Sequence, residues 1–315
     1  MTLTVVIPTH GRPSLLARTL ASVAACARPS GYGGCVVVEN GPPAGAAAVV
    51  AEAAAAHPEA GFRYLHHARA NKSAALNAAL AALAASGPEA ASVSDSEAGH
   101  LAVFFDDDVR VAPAALEAYA AVAVAHPKAA YFGGPVACDY EHAPPDDLLP
   151  LFPRSVQGYE LRDRGVMADE YLGFNWAAWA GEVGSAGGFD PAYGPGSPTG
   201  ARGQESDMQR RLRAAGARPV DVPDARVWHY VPRSRSTAAW LRRRRYQEGV
   251  SQGLRSPESL PASVGSVLRA GASVVKHSVL GSRRMRHAAV GQLAGALGQM
   301  RGRIYVARSP EDRDG

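Results

Sequence analysis

The chain has 315 residues, enough for one large α/β domain or for a domain with an appendage, and 47% of them are hydrophobic. Its net charge is only +4 at pH 7, but basic residues concentrate in the last third, which suggests an anionic neighbour: a phosphorylated substrate, a membrane surface or nucleic acid. The three cysteines, Cys26, Cys35 and Cys138, include no CxxC pair, which excludes a disulfide framework or a zinc site and fits a reducing cytoplasm.

Strand and helix patterns alternate along the first part of the chain. Short apolar, β-branched runs predict buried parallel strands, and runs of alanine and leucine with helical spacing predict the helices between them. The predicted strands are 3–8, 35–40, 62–67, 100–105 and 128–136. This alternation predicts an α/β fold with a mostly parallel sheet and helices on both faces.

The alternation breaks down after residue 136. Segment 139–155 is rich in proline, segment 171–191 is rich in glycine and aromatic residues, and a long basic helix begins at about Thr237. We therefore predict one domain over residues 1–235 and a basic helical extension over 236–315. The domain would have a first half at about 1–136 and a second half at about 137–235.

Polar residues follow three of the predicted strands: Thr9, Glu39 with Asn40, and the run from Asp106 to Asp108. The carboxyl ends of parallel strands share one edge of a sheet, and ligands bind there. Asp106 and Asp108 are expected to point to one side, and such a carboxylate pair suits a hard divalent cation that bridges to a diphosphate. A solvated acidic turn is the alternative interpretation.

Over about residues 3–253 the chain resembles the family 2 glycosyltransferases. The resemblance rests on TVVIPTHGRPSLLARTLASV, VVVENG, ANKSAALNAALAA, VFFDDDVRV, GFNWAAWAGEVGSAGGFDP, GQESDMQRRLRAAGA and RVWHY, which occur in the order typical of the family. It implies a GT-A fold with a Rossmann-like sheet, in which 1–136 binds the nucleotide-sugar and 137–235 binds the acceptor. It also implies transfer of a sugar from a nucleotide-diphospho-sugar, most commonly a UDP-sugar, to an acceptor hydroxyl.

The resemblance assigns residues to the donor and to a metal ion. Asp106 would contact the nucleotide ribose, Asp108 would bind Mn²⁺ or Mg²⁺, and His229 would complete the metal site. Lys72 stands where the family more often has glycine, and a lysine there would touch phosphate or lie exposed. Glu39 occupies the position that reads the base in the family. The residues predicted to bind the nucleotide-sugar are Pro8, Thr9, Arg12, Glu39, Asn71, Lys72, Asp106 and Asp107.

The general base is predicted in GQESDMQRRLRAAG, since a carboxylate must take the proton of the attacking acceptor hydroxyl. Glu205 falls where the family has its catalytic aspartate, and Asp207 is the second candidate; a stabilising position near a helix N-terminus is the alternative for both. A single displacement with one base would invert the anomeric centre. Asn175, Trp176 and Trp179 lie in the block that shapes the acceptor site in the family, although tryptophan more often packs in a core.

Three other hypotheses about the function remain open. A nucleotidyltransferase would need a glycine-rich basic loop after the first strand, and PTHGRPSLL offers one glycine and one arginine. A catalytically inactive GT-A scaffold is disfavoured by the intact acids. Nucleic-acid binding by the arginine-rich run 240–249 is a weakly supported hypothesis, because the run lacks interleaved aromatics.

The run 240–249 has further alternatives: it could bind the donor diphosphate or an anionic acceptor, lie on a membrane carrying a phospholipid-linked substrate, or form a solvated helix. The N-terminus lacks the pattern of a signal peptide, and no window of about 20 residues is apolar enough to span a bilayer. We expect a cytoplasmic enzyme, with peripheral contact to the inner membrane face through the basic C-terminal region.

Overall fold

The computed structural model describes residues 1–85, 99–161, 169–255 and 259–308. The chain divides into two compact units. The first contains residues 1–139, 158–191 and 204–230, and the second contains 140–157, 192–203 and 231–315. Of the predicted extension 236–315, residues 256–258 and 309–315 lie outside the described residues. Two segments from the predicted acceptor half thus join the extension in the second unit.

A seven-stranded sheet forms the centre of the first unit. The strands of the described residues are β1 (Thr2–Thr9), β2 (Tyr32–Asn40), β3 (Phe62–His67), β4 (His100–Phe105), β5 (Val109–Val111), β6 (Ala130–Gly133), β7 (Val136–Tyr140), β8 (Asn175–Trp179), β9 (Arg218–Asp221) and β10 (Val227–Val231). The large sheet has the order β3-β2-β1-β4-β8-β6-β9, and a small sheet has the order β5-β10-β7. In the large sheet β8 runs antiparallel to β4 and β6, and the other neighbours are parallel. The prediction of a mostly parallel sheet is confirmed.

Helices cover both faces of the large sheet. The helices of the first unit are α1 (Pro13–Ala24), α2 (Ala46–Ala56), α3 (Lys72–Ala85), α4 (Ala115–Ala125), α6 (Ala180–Ser185) and α7 (Gln204–Ala214); the short α5 (Arg154–Gln157) belongs to the second unit. Successive strand residues point to opposite faces. Val5 and Ile7 pack in one core with α1, α2 and α4, whereas Val6 packs in the other with α3, α6 and α7. The sheet is therefore buried on both sides, which explains its continuous apolar runs.

One strand prediction needs correction, and one strand was not predicted. The run 128–136 was expected to be one strand, but β6 ends at Gly133 and β7 begins at Val136 in the small sheet. Pro135 has no amide hydrogen to donate, so it cannot continue the hydrogen bonding of β6. Gly134 passes so close to the backbone that an added Cβ would lie 2.0 Å from the carbonyl oxygen of Ala225. The segment 171–191, for which the sequence predicted no strand or helix, contains β8 and α6, since a strand buried on both faces shows no polar alternation.

Three long helices dominate the second unit: α8 (Ala238–Arg255), α9 (Leu260–Leu280) and α10 (Arg283–Arg308). α10 packs against both α8 and α9. Glycines let the backbones of α8 and α10 touch. A Cβ at Gly249 would lie 2.0 Å from the carbonyl oxygen of Gly295, and one at Gly298 would lie 2.0 Å from that of Tyr246. Within the described ranges, no helix has the length and apolar character needed to cross a membrane.

Candidate active site

Two of the three aspartates after β4 contact Thr9, the last residue of the neighbouring strand β1, and Arg12, three residues further on. The Thr9 hydroxyl donates to Oδ2 of Asp107 at 2.6 Å. Arg12 donates to the Asp107 carboxylate through Nε, at 3.2 Å, and through Nη2, and it also donates through Nη1 to Oδ2 of Asp108 at 2.6 Å. Asp107 is fully buried. One guanidinium thus holds two adjacent carboxylates together, as its planar fork allows.

Lys72, the first residue of α3, pairs with the third carboxylate. Its Nζ lies 2.5 Å from Oδ1 of Asp106, and both side chains are partly exposed. Arg12 and Lys72 supply two positive charges against the three carboxylates, so the cluster keeps a formal charge of −1 when His229 is neutral. The partly exposed pair of Lys72 and Asp106 leaves both residues within reach of a ligand.

Burial perturbs the central carboxylate of the cluster. The loss of hydration raises the pKa of Asp107 to about 6, because it outweighs the attraction of Arg12, and the nearby charge of Asp108 adds to the rise. A buried carboxylate with a raised pKa beside further acids is costly to maintain and is typical of functional sites.

His229 lies beside Asp108 on the other side of the cluster. It is opposite Val109 in the antiparallel pair of β10 and β5, and its ring stacks on Phe174 with centroids 4.5 Å apart. Its Nε2 is 3.6 Å from Oδ1 of Asp108. Among the described residues, no group of three or more histidine, cysteine or acidic side chains is arranged to hold a metal ion. Asp108 and His229 could supply two ligands to a metal ion. Such a pair fits a cation that takes its remaining ligands from water and substrate phosphates.

Two predicted nucleotide-binding residues have structural hydrogen bonds instead. The buried Glu39 accepts hydrogen bonds from the Tyr64 hydroxyl at 2.7 Å and from the amides of Ala44 at 2.7 Å and Ala46 at 3.4 Å. Burial alone would raise the pKa of Glu39, but these hydrogen bonds outweigh it and the pKa lies below its usual value. Glu39 therefore anchors the start of α2, and its contact with a nucleotide base stays a prediction.

Asn71 is also buried and caps α3. Its Oδ1 accepts from the amide of Ala74 at 2.9 Å, and its Nδ2 donates to the carbonyl of Pro191 at 2.9 Å. Pro8 is buried within β1, where it is paired with Val38. Asn71 and Pro8 are thus buried in the protein, whereas Thr9, Arg12, Lys72 and the aspartates form the polar cluster.

The three predicted acceptor residues lie in the core. Asn175 is fully buried; its Oδ1 accepts from the Tyr119 hydroxyl, and its Nδ2 donates to the carbonyls of Pro135 and Ala225. Trp176 stacks on Phe104 with centroids 4.8 Å apart. Trp179 is buried as well, and its Nε1 donates to the carbonyl of His126. Because β8 is central in the sheet, these three residues pack in the core, and their contact with an acceptor stays a prediction.

The two candidate bases at the start of α7 differ in their surroundings. Asp207 is buried and pairs with Arg210 at 2.6 Å and with Arg211 at 2.9 Å. Arg211 also donates to the carbonyls of Ala186 and Gly188, so Asp207 is part of a network that holds α6 and α7 together. Glu205 is half-buried and packs against Gly173, where an added Cβ would lie 2.8 Å from its Cδ. Glu205 is the better placed of the two to meet a substrate.

The sequence reasoning missed Tyr64, Phe174 and Gly173, which respectively hold Glu39, stack on His229 and make room for Glu205. The signal for Gly173 was present, because a glycine inside an aromatic run such as YLGFNW indicates a close approach. Tyr64 and Phe174 gave no local signal, since their roles depend on partners distant in the sequence.

Comparisons with known proteins agree with this architecture. The family model described as "Glycosyltransferase like family 2" matches residues 2–172, more than half of the chain. No curated protein matches the chain. Among solved structures, mannosyltransferase PcManGT from Pyrobaculum calidifontis, in complex with GDP-Man and Mn²⁺, is 18% identical with a TM-score of 0.58 and covers 94% of this chain and 86% of its own.

Two further solved structures have a TM-score of 0.49. S. aureus TarS is 11% identical and covers 96% of this chain and 55% of its own, and GalNAc-T7 with UDP, GalNAc and Mn²⁺ is 14% identical and covers 73% and 44%. The fold is that of the GT-A glycosyltransferases, as predicted. The chain belongs to the family 2 glycosyltransferases, and the prediction of a glycosyltransferase is confirmed.

Proposed function

We propose that this glycosyltransferase is metal-dependent and inverting, and that it moves a sugar from a nucleotide-diphospho-sugar to an acceptor hydroxyl. The observation that carries the proposal is the carboxylate cluster after β4, which Arg12 and Lys72 only partly neutralise. A cluster with residual negative charge at the edge where α/β sheets bind ligands suits a divalent cation together with a diphosphate. A UDP-sugar is the first donor to test and a GDP-sugar the second, since the similar mannosyltransferase structure contains GDP-Man.

The residues around the cluster have separate roles in this proposal. Asp108 and His229 would hold Mn²⁺ or Mg²⁺, and Asp106 would contact the nucleotide ribose. When bound, the metal would neutralise charge that develops on the leaving diphosphate. Lys72 would pair with a donor phosphate in place of Asp106. Asp107 keeps the Arg12 fork in position.

The acceptor step would depend on Glu205. Its carboxylate takes the proton of the acceptor hydroxyl as the oxygen attacks the anomeric carbon, while the bond from that carbon to the diphosphate oxygen breaks. With one base and one displacement, the configuration at the anomeric carbon inverts. Asp207 is the weaker candidate, because Arg210 and Arg211 pair with both of its carboxylate oxygens. The same proposal puts the enzyme in the cytoplasm, peripherally on the inner membrane face.

The test combines thermal shift with donor hydrolysis. UDP- and GDP-sugars are compared with and without Mn²⁺ or Mg²⁺ for the wild type, Asp108→Ala and Glu205→Gln, with Glu52→Gln on the exposed face of α2 as the control. We expect one donor to stabilise the wild type only with metal, Asp108→Ala to lose this effect, and Glu205→Gln to bind donor without turnover. Donor binding that is equally tight without metal would contradict metal dependence, and full turnover by Glu205→Gln would contradict the base.

A further inference from the structure

The exposed apolar side chains of this protein are concentrated in two helices. Ten large hydrophobic residues are exposed in the described ranges, and nine of them lie in α9 and α10; the other is Val124 of α4. Single exposed hydrophobic residues are normal on protein surfaces, whereas a concentration of them marks an interaction surface. In the part of the chain that the structure describes, α9 and α10 therefore carry the surface best suited to an apolar partner.

Four of the exposed apolar residues of α9 share one face of the helix. Val264, Leu268, Val275 and Val279 are separated by four, seven and four positions, a spacing that aligns them along one side of a helix. Leu268, Val275, Val279 and Leu280 are 69%, 68%, 79% and 80% exposed. The helix packs on α10, and the name apolar stripe is used here for Val264, Leu268, Val275 and Val279 on the exposed face together with Leu280 at the C-terminal end of the helix.

Positive charge surrounds the apolar stripe. Arg269 and Lys276 are exposed on α9, and Arg284 and Arg286 are exposed at the start of α10, directly after the stripe ends at Leu280. Arg283, also exposed, is 3.7 Å from Asp147. The sequence from 259 to 308 contains no aspartate or glutamate. Burial and the charges of Arg283, Arg242 and Arg286 together lower the pKa of His287, which reflects the positive field at this corner.

We infer that α9 and the start of α10 bind the surface of an anionic lipid bilayer, with the apolar stripe inserted at the headgroup boundary and the basic residues on lipid phosphates. An exposed apolar helix face flanked by lysine and arginine is the pattern of a helix that lies in a membrane interface. Anionic headgroups complement the charge that surrounds the stripe. A second copy of the chain would bring the same basic surface against itself, and like charges would repel.

This inference deepens the membrane contact included in the proposed function and assigns it to α9 rather than to the arginine-rich run of α8. In that run Arg244 and Arg245 pair with Glu248 at 2.9 Å and 3.4 Å, and Arg245 also donates to the carbonyl of Leu151. Two of its charges are thus engaged within the protein. Vesicle binding needs neither donor nor acceptor, so it succeeds or fails independently of the transferase chemistry.

The test is vesicle flotation of the full chain. Vesicles of phosphatidylcholine alone are compared with vesicles in which part of this lipid is replaced by phosphatidylglycerol. The apolar variant is Leu268→Ser/Val275→Ser/Val279→Ser/Leu280→Ser, and the charge variant is Arg269→Gln/Lys276→Gln. Val124→Ser is the matched control, because Val124 is 68% exposed but lies on α4. Far-UV circular dichroism and Tm verify folding, and Val279→Ser/Leu280→Ser serves if the larger variant does not fold.

We expect the wild type and Val124→Ser to bind the phosphatidylglycerol vesicles and to bind phosphatidylcholine weakly. The apolar variant should lose at least about tenfold in partitioning, since binding scales with the apolar area inserted, and the charge variant should lose part of the binding and of its salt dependence. Unchanged binding by the apolar variant, or no binding by the wild type, would overturn the inference. So would light scattering that shows a wild-type dimer and a monomeric apolar variant without any vesicle binding.

Discussion

Gly173 leaves the space that the Glu205 side chain occupies. A Cβ added at Gly173 would lie 2.8 Å from Cδ and 3.0 Å from Cγ of Glu205, closer than side chains approach. Gly173→Ala must therefore move the carboxylate that we propose as the general base. Since misplacing a catalytic group is costly, we expect kcat to fall roughly 10- to 100-fold. The donor Kd should be unchanged, because the cluster of Arg12, Lys72 and the three aspartates, which we propose as the donor site, is not altered.

The measurement is transfer kinetics beside calorimetric donor binding. Gly181→Ala is the matched control, because an added Cβ at Gly181 meets nothing within 4 Å. If Gly173→Ala kept the wild-type kcat, Glu205 would be free to adjust or would not be the base. A parallel loss of donor affinity would instead indicate general damage to the site.

Lys72 provides a second test of the site. Its ammonium pairs with the partly exposed Asp106, and we propose that it turns to a donor phosphate when the donor binds. Lys72→Gln should weaken binding of the nucleotide-sugar about tenfold, the loss expected for one charge-assisted hydrogen bond of ~1.4 kcal/mol. Calorimetry with the nucleotide diphosphate measures this change, and Lys128→Gln, at an exposed position, is the control. If Lys72→Gln bound the nucleotide diphosphate as tightly as the wild type, the role of Lys72 would be only to neutralise Asp106.

Glu39 should matter for stability rather than for donor choice. Glu39→Gln keeps the shape but loses the charged acceptor of Tyr64 and of two amides, so we expect a loss of ~1–3 kcal/mol in the free energy of unfolding at pH 7. Because the pKa of Glu39 is lowered in the folded state, this stabilisation is present above the unfolded pKa. It is lost as the pH falls through the folded pKa.

Urea unfolding at pH 7 and below about pH 4, near the ordinary glutamate pKa, measures the difference. The wild type and Glu39→Gln should converge as the pH falls, whereas Glu52→Gln, which is exposed, should match the wild type throughout. A gap between wild type and Glu39→Gln that persists at low pH would mean that packing, not charge, carries the effect.

Periodicity predicted the first half of the sheet well because its strands follow one another as βαβ units. The strands after residue 130 could not be predicted in the same way. β8 is antiparallel and lies between β4 and β6, so its position depends on partners far away in the sequence. Its sequence, NWAAW, has no polar alternation, because both faces are covered. Gly-Gly-Pro at 133–135 indicates the break between β6 and β7. The prediction missed it because hydrophobic residues lie on both sides of this tripeptide.

The candidate site was likewise predictable from the sequence only in part. The acids after β4 and their position at the sheet edge were predictable, since an apolar run that ends in carboxylates points to a strand end. Arg12 and Lys72 pair with these acids in the structure, but the sequence analysis predicted them only as residues that bind the nucleotide-sugar. Glu39, Asn71 and Asn175 were assigned to ligands, but each satisfies buried backbone or hydroxyl groups. A sequence shows which residues can form hydrogen bonds, and only the fold decides which of their partners are already inside the protein.

The cysteines should differ sharply in reactivity. Burial raises the pKa of Cys26 to about 12 and raises that of Cys35 further, whereas Cys138 is half-buried. The thiolate is the reactive form, so at pH 8 we expect a thiol reagent to modify Cys138 first and the other two only after unfolding. Mass spectrometry of the native and the urea-unfolded protein, with Cys138→Ser as the control, measures this order. Rapid native labelling of Cys35 would show that β2 opens locally.

The contact between α8 and α10 should depend on Gly253. A Cβ at Gly253 would lie 2.1 Å from the carbonyl oxygen of Gln299 and 3.0 Å from Cα of Gly302, and backbone atoms cannot move aside as a flexible side chain can. Gly253→Ala should therefore destabilise the helix pair by ~1–3 kcal/mol, even after the gain of up to about 1 kcal/mol that alanine brings to a helix.

Gly271→Ala in α9 separates these two effects. An added Cβ at Gly271 meets nothing within 4 Å, so alanine should bring only the helix gain and leave stability unchanged or slightly higher. Urea unfolding followed by circular dichroism compares the two variants. If Gly253→Ala were as stable as Gly271→Ala, the two helices would be able to move apart by the width of a methyl group at little cost, and glycine would not be what sets their separation.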